Sequence, residues 1–273
     1  MALIKKKKVI YIRTNRPIET TKKNKRWLSP TSINAYLRCP RKFYYSKIVK
    51  LKQKPNIYLI RGIAVHRAIE KFYKFKINQC VNMDYSDFRK IVIDLLKDEW
   101  LNQKKSLLEL KLKKDEISFY FQESRKMILN FLHDFIKDSG FEKPAPITEK
   151  MLFSKKYMLL GKIDAIYTSR DPPFLVDFKT CKSKEVIDDY KRQLACYALL
   201  YKEHFQKKPT LGIHFLKFKN GLKKFKITNQ HLDKTKVLVM DIHHKTQSEN
   251  ISDYPCTCGW CDKNFKLKTN NKT

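Results

Sequence analysis

The chain has 273 residues, of which 42% are hydrophobic and 12% aromatic, so it is long and apolar enough to fold around a large core. It carries 59 Lys and Arg against 27 Asp and Glu, a formal net charge of +32 that favours polyanionic partners. No stretch approaches the roughly 18 apolar residues of a membrane span, and no long apolar segment follows the basic residues near the start. We therefore expect a cytoplasmic or otherwise intracellular protein that does not enter a membrane.

The basic residues are concentrated at the beginning of the chain. Residues 1–54 contain 17 Lys or Arg and a single acid, Glu19, and we predict that residues 1–27 form a basic, partly disordered segment. Two interpretations are open, a solvated basic tail and a contact with nucleic acid. The second is favoured by interleaved aromatic residues that could stack on bases, namely Trp27, Tyr36, Phe43, Tyr44 and Tyr45.

Residues 28–145 have the pattern of a mostly helical region. Ser29-Pro30 offers a hydroxyl cap and a first-turn proline for a helix that should break near Cys39-Pro40. Apolar residues at helical spacing predict further helices over about 61–75, 86–101 and 105–138, the last of them stopping at Ser139-Gly140. We predict that this region is the helical N-terminal part of a single domain.

The pattern changes to strands after Pro144-Ala145-Pro146. Strands are predicted over 147–153, 157–167 and 174–178, followed by a helix over about 184–205. A strand over 210–218, a turn at Asn220-Gly221, a strand over about 223–228 and a helix to about 245 come next. This order predicts an α/β fold, a mixed central β-sheet flanked by helices over residues 146–265, with a frayed tail over 266–273.

Two acids lie in strand contexts where apolar residues are usual. Asp164 has apolar neighbours, and Asp177 is two residues before Lys179, which puts both of these side chains on one face of a strand. Charged groups in a buried sheet are costly unless they are paired or bind a metal. A salt-bridge network and a metal site both remain open. Hydrolysis of a phosphodiester would use these residue types, because Mg²⁺ prefers carboxylates and a lysine offsets charge on the phosphate.

Several motifs appear in a fixed order along the chain. In the strand-rich half these are Gly161-x-x-Asp164, Asp177-Phe178-Lys179-Thr180 and Gln193-Leu194-Ala195-Cys196-Tyr197. Upstream of them are Cys39-Pro40-Arg41-Lys42-Phe43-Tyr44 and Arg61-Gly62-Ile63-Ala64-Val65-His66. Together they resemble the PD-(D/E)XK nuclease superfamily, and in particular its RecB-like branch, which includes the CRISPR-associated exonuclease. The match runs from about residue 28 to residue 265.

The resemblance implies a restriction-endonuclease-like core and a metal-dependent DNA nuclease. Asp164 and Asp177 would bind Mg²⁺ or Mn²⁺, and Lys179 would be the catalytic lysine. The backbone carbonyl of Phe178 and the side chain of His66 would be further ligands. Without the resemblance, His66 would be interpreted as an ordinary histidine of a helix.

Gln193 and Tyr197 stand four residues apart and therefore share one face of a helix. From the residues alone they are an ordinary amphipathic pair, whereas the resemblance implies that they contact DNA or support the catalytic centre. The resemblance also implies an exonuclease for single-stranded or end-bearing DNA, acting in DNA repair, recombination or CRISPR adaptation. A catalytically inactive, nucleic-acid-binding protein on the same fold is the alternative.

The chain contains seven cysteines, an odd number that argues against a framework of disulfides. The resemblance implies a [4Fe-4S] cluster held by one N-terminal and three C-terminal cysteines, and the residues available are Cys39, Cys256, Cys258 and Cys261. The spacing departs from the family's pattern, because Cys256 lies before the Cys-x2-Cys pair and none follows it. A zinc site and cysteines without metal are the other interpretations.

Overall fold

A computed structural model describes residues 25–51, 55–75, 83–138, 144–259 and 261. Most of the predicted basic segment, the helix stop at Ser139-Gly140 and the predicted tail over 266–273 lie outside the described residues. No helix within the described ranges is long and apolar enough to cross a bilayer.

Two short helices begin the described chain, α1 (Pro30–Arg38) and α2 (Pro40–Phe43), and a π-helical turn (Tyr44–Ile48) follows them. The Ser29 hydroxyl accepts a hydrogen bond of 3.2 Å from the backbone N–H of Ser32 and so caps α1. Cys39 is extended and interrupts the helix, and Pro40 starts the next one, as the sequence predicts.

Among the described residues of the N-terminal part, four helices follow: α3 (Ile57–Lys74), α4 (Tyr85–Leu101), α5 (Lys104–Glu109) and α6 (Lys114–Lys137). The prediction of one helix over 105–138 is wrong, because this stretch forms two helices. Lys111 has a φ of +53°, which ends the first helix. The second helix starts where the side chain of Glu116 accepts a hydrogen bond of 2.9 Å from the N–H of Lys113.

Within the part of the chain that the structure describes, five strands form one mixed sheet in the order β1 (Ile147–Ser154), β2 (Leu159–Tyr167), β3 (Phe174–Lys179), β4 (Thr210–Phe215) and β5 (Leu222–Phe225). Only β3 and β4 are parallel, and they are joined through α7 (Asp188–Phe205). After the sheet come α8 (Asn229–Lys245) and a short 3₁₀ turn (Ile251–Asp253). The predicted fold class, a mixed sheet flanked by helices with a helical N-terminal part, is confirmed.

The sheet lies between two helical layers. Its first face packs against α1, α7 and α8, and its second face packs against α3, α4, α5 and α6. Strand β3 is buried on both faces and alternates between them: Leu175 faces the α7 layer, whereas Phe174, Val176 and Phe178 face the α3 layer. Asp177 and Lys179 therefore point toward α7.

A local irregularity interrupts the pairing of β1 with β2. Ile163 belongs to the core on the α7 side, but Ala165 belongs to the core on the α3 side, so the alternation of faces shifts at Asp164. The register on either side of this point puts Glu149 opposite Asp164. Glu149 has a φ of +51°, a left-handed conformation that non-glycine residues adopt at a cost. Two carboxylates therefore meet where both strands are irregular.

Most aromatic residues of the N-terminal region pack inward, whereas Trp27 is 37% exposed and contacts Phe153 edge to face. Phe43 is fully buried and stacks on Tyr254 with ring centroids 6.1 Å apart, and Tyr36 and Tyr44 contact the same ring. Tyr45 is also buried. The expectation that this set stacks on bases is therefore wrong for Phe43 and Tyr45, because core packing uses their faces.

Candidate active site

Lys179 and Asp177 form the centre of a buried polar cluster. Nζ of Lys179 lies 2.6 Å from Oδ2 of Asp177, and the aspartate side chain is 4% exposed. Gln193, on α7, contacts both residues. Its Oε1 accepts a hydrogen bond of 2.7 Å from Lys179, and its Nε2 donates one of 2.8 Å to Oδ1 of Asp177. The two strand residues and the helix residue thus form a closed set of contacts.

Tyr197 extends this cluster along α7, since Nε2 of Gln193 is 2.7 Å from its hydroxyl oxygen. The tyrosine ring packs directly on Gly161 of β2. A Cβ atom at Gly161 would lie 3.1 Å from the Tyr197 ring and 2.9 Å from Leu200. The glycine therefore allows α7 to approach the sheet closely enough for Gln193 to reach β3.

Asp164 is the second acidic group of the site, on the strand next to Asp177. Its Oδ2 accepts a hydrogen bond of 2.8 Å from the backbone N–H of Phe178 and lies 3.5 Å from Nδ1 of His66. His66 comes from α3, so the α3 layer and the sheet meet here. Helix α3 thus brings an imidazole to the two acidic strands.

Glu149 is a third acid near this point, and sequence reasoning missed it. One ligand atom each from His66, Glu149 and Asp164 lie within 4.8 Å of one another. Simple alternation would assign Glu149 to the face of Met151 and Phe153, which are about half exposed. The positive φ of Glu149 turns it away from that pattern, and no sequence signal announces such a φ at a glutamate.

The protonation states of the site are set by burial and by the neighbouring charges. Burial raises the pKa of Asp177 to about 6, although the ammonium of Lys179 acts in the opposite direction. Burial also acts to raise the pKa of Asp164, but His66 and the N–H of Phe178 outweigh it and hold that pKa below its ordinary value. Burial lowers the pKa of His66, but the Asp164 carboxylate outweighs it and the net pKa is raised.

The structure brings together the predicted residues of the centre in two adjoining groups. Lys179, Asp177, Gln193 and Tyr197 form one group on the α7 side; His66, Asp164 and the backbone N–H of Phe178 form the other, with Glu149 added. Phe178 is the residue between Asp177 and Lys179, so its backbone joins the groups. Asp177 lies outside the three-residue donor group of the described chain, and its oxygens contact Lys179 and Gln193.

Arg61, from the same motif as His66, holds α3 against the end of β3. Its side chain is 2% exposed, forms an ion pair with Glu123 of α6, and donates a hydrogen bond of 2.8 Å to the carbonyl of Thr180. Thr180 follows Lys179 directly. The buried guanidinium therefore links α3, α6 and the segment that leaves the lysine.

The four cysteines at the chain ends lie together at a second location. Every pair of their Sγ atoms is within 4.8 Å, and the measured contacts are 3.9 Å for Cys39–Cys261 and for Cys256–Cys258, and 3.5 Å for Cys258–Cys261. Burial acts to raise the pKa of Cys39, but hydrogen bonds from Thr257 and other backbone groups lower it to about 6. Such an arrangement of thiols has the chemistry of a metal site.

The mixed sheet, with an acid–lysine pair on β3 and a second acid on β2, defines an α/β protein with acidic groups and a lysine on adjacent strands. The chain belongs to the PD-(D/E)XK nuclease superfamily, whose family model matches residues 27–263. The superfamily predicted from the motifs is therefore confirmed.

A comparison with solved structures agrees with the fold. The fold is similar to the crystal structure of a candidate exonuclease from Eubacterium rectale, with a TM-score of 0.57 and 12% sequence identity. The similarity covers 92% of this chain and 90% of that chain. At this identity it supports the fold alone. Among curated proteins, no sequence matches the chain.

Proposed function

We propose that the protein is a metal-dependent deoxyribonuclease that hydrolyses phosphodiester bonds with Lys179, Asp164 and Asp177. The observation that carries the proposal is the buried set of contacts among Lys179, Asp177 and Gln193, beside the donor group of His66, Glu149 and Asp164. Burying a lysine and several carboxylates costs desolvation free energy, and such groups are found together at catalytic sites.

The donor set fits a hard divalent cation. Carboxylate oxygens suit Mg²⁺ and Mn²⁺, and an imidazole nitrogen suits Mn²⁺ as well. His66, Glu149 and Asp164 would hold the ion, and we propose Asp177 and the backbone carbonyl of Phe178 as further ligands. The raised pKa of Asp177 supports this, because Lys179 alone compensates its charge poorly. When bound, such an ion polarises a phosphoryl oxygen and lowers the pKa of water.

The protein's own groups would position and stabilise the phosphate. The ammonium of Lys179 would donate hydrogen bonds to a phosphate oxygen and offset the charge that develops on it. Gln193 would keep Lys179 oriented, and Tyr197 would support Gln193 from the same helix face. Asp164 would keep His66 in place.

DNA as the substrate, an exonuclease acting on single-stranded or end-bearing molecules, and a role in repair, recombination or CRISPR adaptation are further parts of the proposal. They rest on the resemblance to the RecB-like branch and on the net charge of +32, which suits any nucleic acid. The alternative is a catalytically inactive binding protein. The contacts that join Lys179 to Asp177 and Gln193 favour the enzyme, because binding of a strand does not require them.

The test is cleavage of end-labelled single-stranded DNA, blunt duplex and matched RNA with Mg²⁺, with Mn²⁺ and with EDTA. We expect metal-dependent cleavage that Lys179→Ala reduces about a hundredfold or more while binding persists. Lys105→Ala, a change at an exposed lysine of α5, is the matched control and should cleave as the unmodified protein does. Equal cleavage by Lys179→Ala, or none by the unmodified protein with either metal, contradicts the proposal.

We also propose that Cys39, Cys256, Cys258 and Cys261 hold a metal centre that ties the two ends of the fold together. Direct contacts already join these ends, for example the 2.6 Å hydrogen bond from Nε of Arg41 to the carbonyl of Tyr254. The resemblance implies an iron–sulfur cluster. The distances between sulfur atoms favour zinc, because tetrahedral thiolates about 2.3 Å from zinc stand about 3.8 Å apart, close to the 3.5–3.9 Å of three of the six cysteine pairs here.

Visible absorption and metal content of protein purified without oxygen separate these occupants. A brown protein with iron and sulfide indicates the cluster, and a colourless protein with one equivalent of zinc indicates the single ion. Cys258→Ser should lose the metal in either case, whereas Cys181→Ser, a change outside the group, should keep it. A preparation without iron or zinc contradicts a metal centre.

A further inference from the structure

A group of aromatic side chains lies on the surface between α3 and α6. Tyr58, in the first turn of α3, is 47% exposed, and Phe119, on α6, is 59% exposed. Tyr120 lies between them, with its ring centroid 5.8 Å from that of Tyr58 and 5.4 Å from that of Phe119, both edge to face. We call these three residues the aromatic surface. Unlike the buried Phe43 and Tyr45, the aromatic surface leaves ring area open to a ligand.

The helix that carries Tyr58 is joined to the segment that follows Lys179. Arg61, one helical turn after Tyr58, donates its hydrogen bond to the carbonyl of Thr180, the residue after Lys179. Gly62 also lies against this segment, since a Cβ there would be 3.5 Å from Oγ1 of Thr180. The start of α3 is therefore held against the chain that leaves the catalytic lysine.

Cationic side chains lie beside the Tyr58 ring of the aromatic surface. Nζ of Lys182, which is exposed and three residues after Lys179, lies 5.6 Å from the centre of the Tyr58 ring, and the guanidinium of Arg61 lies 5.3 Å from it. Glu123 is ion-paired with both Arg61 and Lys217. Three cations thus accompany one acid in this set, a balance that suits a phosphate backbone.

We infer that the aromatic surface binds the single-stranded part of the DNA substrate next to the bond that is cut. Bases of one to three nucleotides would stack on Tyr58 and its neighbours, and Lys182 would contact a phosphate. Single strands fit this surface because their bases expose faces that a duplex hides. The inference rests on the proposed nuclease function and assigns the surface that would hold its single strand. A protein partner would contact the apolar rings, but such a contact gives Lys182 no role.

Binding measurements can test the inference without cleavage. All variants are made on Lys179→Ala in EDTA, and the probe is a fluorescent oligothymidine of about ten nucleotides, within the usual site size. We expect Tyr58→Ala to weaken binding about tenfold, in the range found for base-stacking aromatics. Tyr85→Ala is the matched control, a half-exposed tyrosine at the start of α4, and should bind as the parent does.

Abasic nucleotides separate stacking from other effects. Replacing the thymidines one at a time by abasic residues should weaken binding by the parent at one or two positions, and these positions should have no effect on Tyr58→Ala. Lys182→Ala should reduce the slope of binding against salt by about one. Equal affinity of parent and Tyr58→Ala overturns the inference and leaves the surface to a protein partner, and so does an equal loss for both proteins at every abasic position.

The same variants, made in the protein that retains Lys179, show which proposal fails. If the protein cuts duplex and single strands equally and Tyr58→Ala changes neither rate, the nuclease proposal stands and the single-strand inference is wrong. If the abasic signature is present but no metal supports cleavage, the strand-binding surface stands and the nuclease proposal fails.

Discussion

Gln193 lies on α7, the helix that packs against the sheet face of Lys179, and its side-chain oxygen accepts a hydrogen bond of 2.7 Å from the lysine ammonium. Its nitrogen also donates to Asp177, so one amide spans the acid–lysine pair. An amide can do this because it both donates and accepts. Neither a carboxylate nor an apolar side chain at position 193 can satisfy both partners.

Gln193→Leu should therefore lower the turnover number about ten- to a hundredfold with little change in KM, because it leaves Lys179 unoriented. Gln193→Glu places a carboxylate beside Asp177, which should raise the pKa of Asp177 and move the acidic limb of the pH–rate profile to higher pH. Steady-state kinetics across pH check both results. Gln230→Leu, at an exposed position of α8, is the control. An unmoved profile for Gln193→Glu would count against a positioning role.

The raised pKa of Asp177 predicts a gain in stability when its charge is removed. A group whose pKa rises on folding stabilises the folded state fully below its pKa in the unfolded chain, here 3.8. This contribution is lost as the pH rises through its pKa in the folded protein, here about 6. This difference corresponds to about 3 kcal/mol as an upper bound. Without metal, Asp177→Asn should thus be more stable than the parent at pH 8 and nearly equal to it at pH 4.

Urea denaturation in EDTA at the two pH values measures this effect. Asp94→Asn, a change at an exposed acid of α4, should show no such dependence on pH. A parent that is as stable as Asp177→Asn at pH 8 would mean that Lys179 and Gln193 compensate the carboxylate fully.

Local patterns predicted much of this architecture. The apolar run over 174–178 predicted strand β3, and the two-residue spacing put Asp177 and Lys179 on the same side. Side-chain periodicity determines such features, and it is read directly from neighbouring residues. Gln193 was predicted as a supporting residue through its motif, but the two partners of its amide depend on how α7 packs on the sheet.

Other features depend on backbone conformations that residue types do not announce. Lys111 and Glu149 both have positive φ, and lysine and glutamate rarely adopt it. The first conformation divides a predicted helix, and the second brings a carboxylate to Asp164. The partners of Tyr58 come from α6 and from the segment after β3, far away along the chain. These contacts depend on long-range packing, so no short stretch of sequence could predict them.

Glu149 offers a test of whether strain at this position serves metal binding. Glu149→Gly removes an ion pair with the half-exposed Lys162, but it should still raise the unfolding free energy of the metal-free protein by up to about 1 kcal/mol, because glycine adopts the left-handed conformation freely. The same change should weaken Mn²⁺ binding, measured by calorimetry, and lower metal-dependent cleavage. Glu149→Gln should lose metal affinity without the gain in stability.

Glu185→Gln, at an exposed acid before α7, is the control for a simple loss of charge. Unchanged Mn²⁺ affinity in both Glu149 variants would remove Glu149 from the ligand set and leave His66 and Asp164 to bind with Asp177.

Arg61 is buried and connects α3 to both Glu123 and Thr180. Arg61→Met should lower the unfolding free energy by about 2 kcal/mol, since it removes one of the two cations that pair with Glu123 and leaves the Thr180 carbonyl without its donor. Arg61→Lys keeps the charge but lacks the planar fork, so it should restore part of the stability and little of the turnover number. Arg67→Met, at a mostly exposed arginine of the same helix, should cost less than about 1 kcal/mol. If Arg61→Lys restored turnover fully, charge alone would explain Arg61, and its link to the segment after Lys179 would have no part in catalysis.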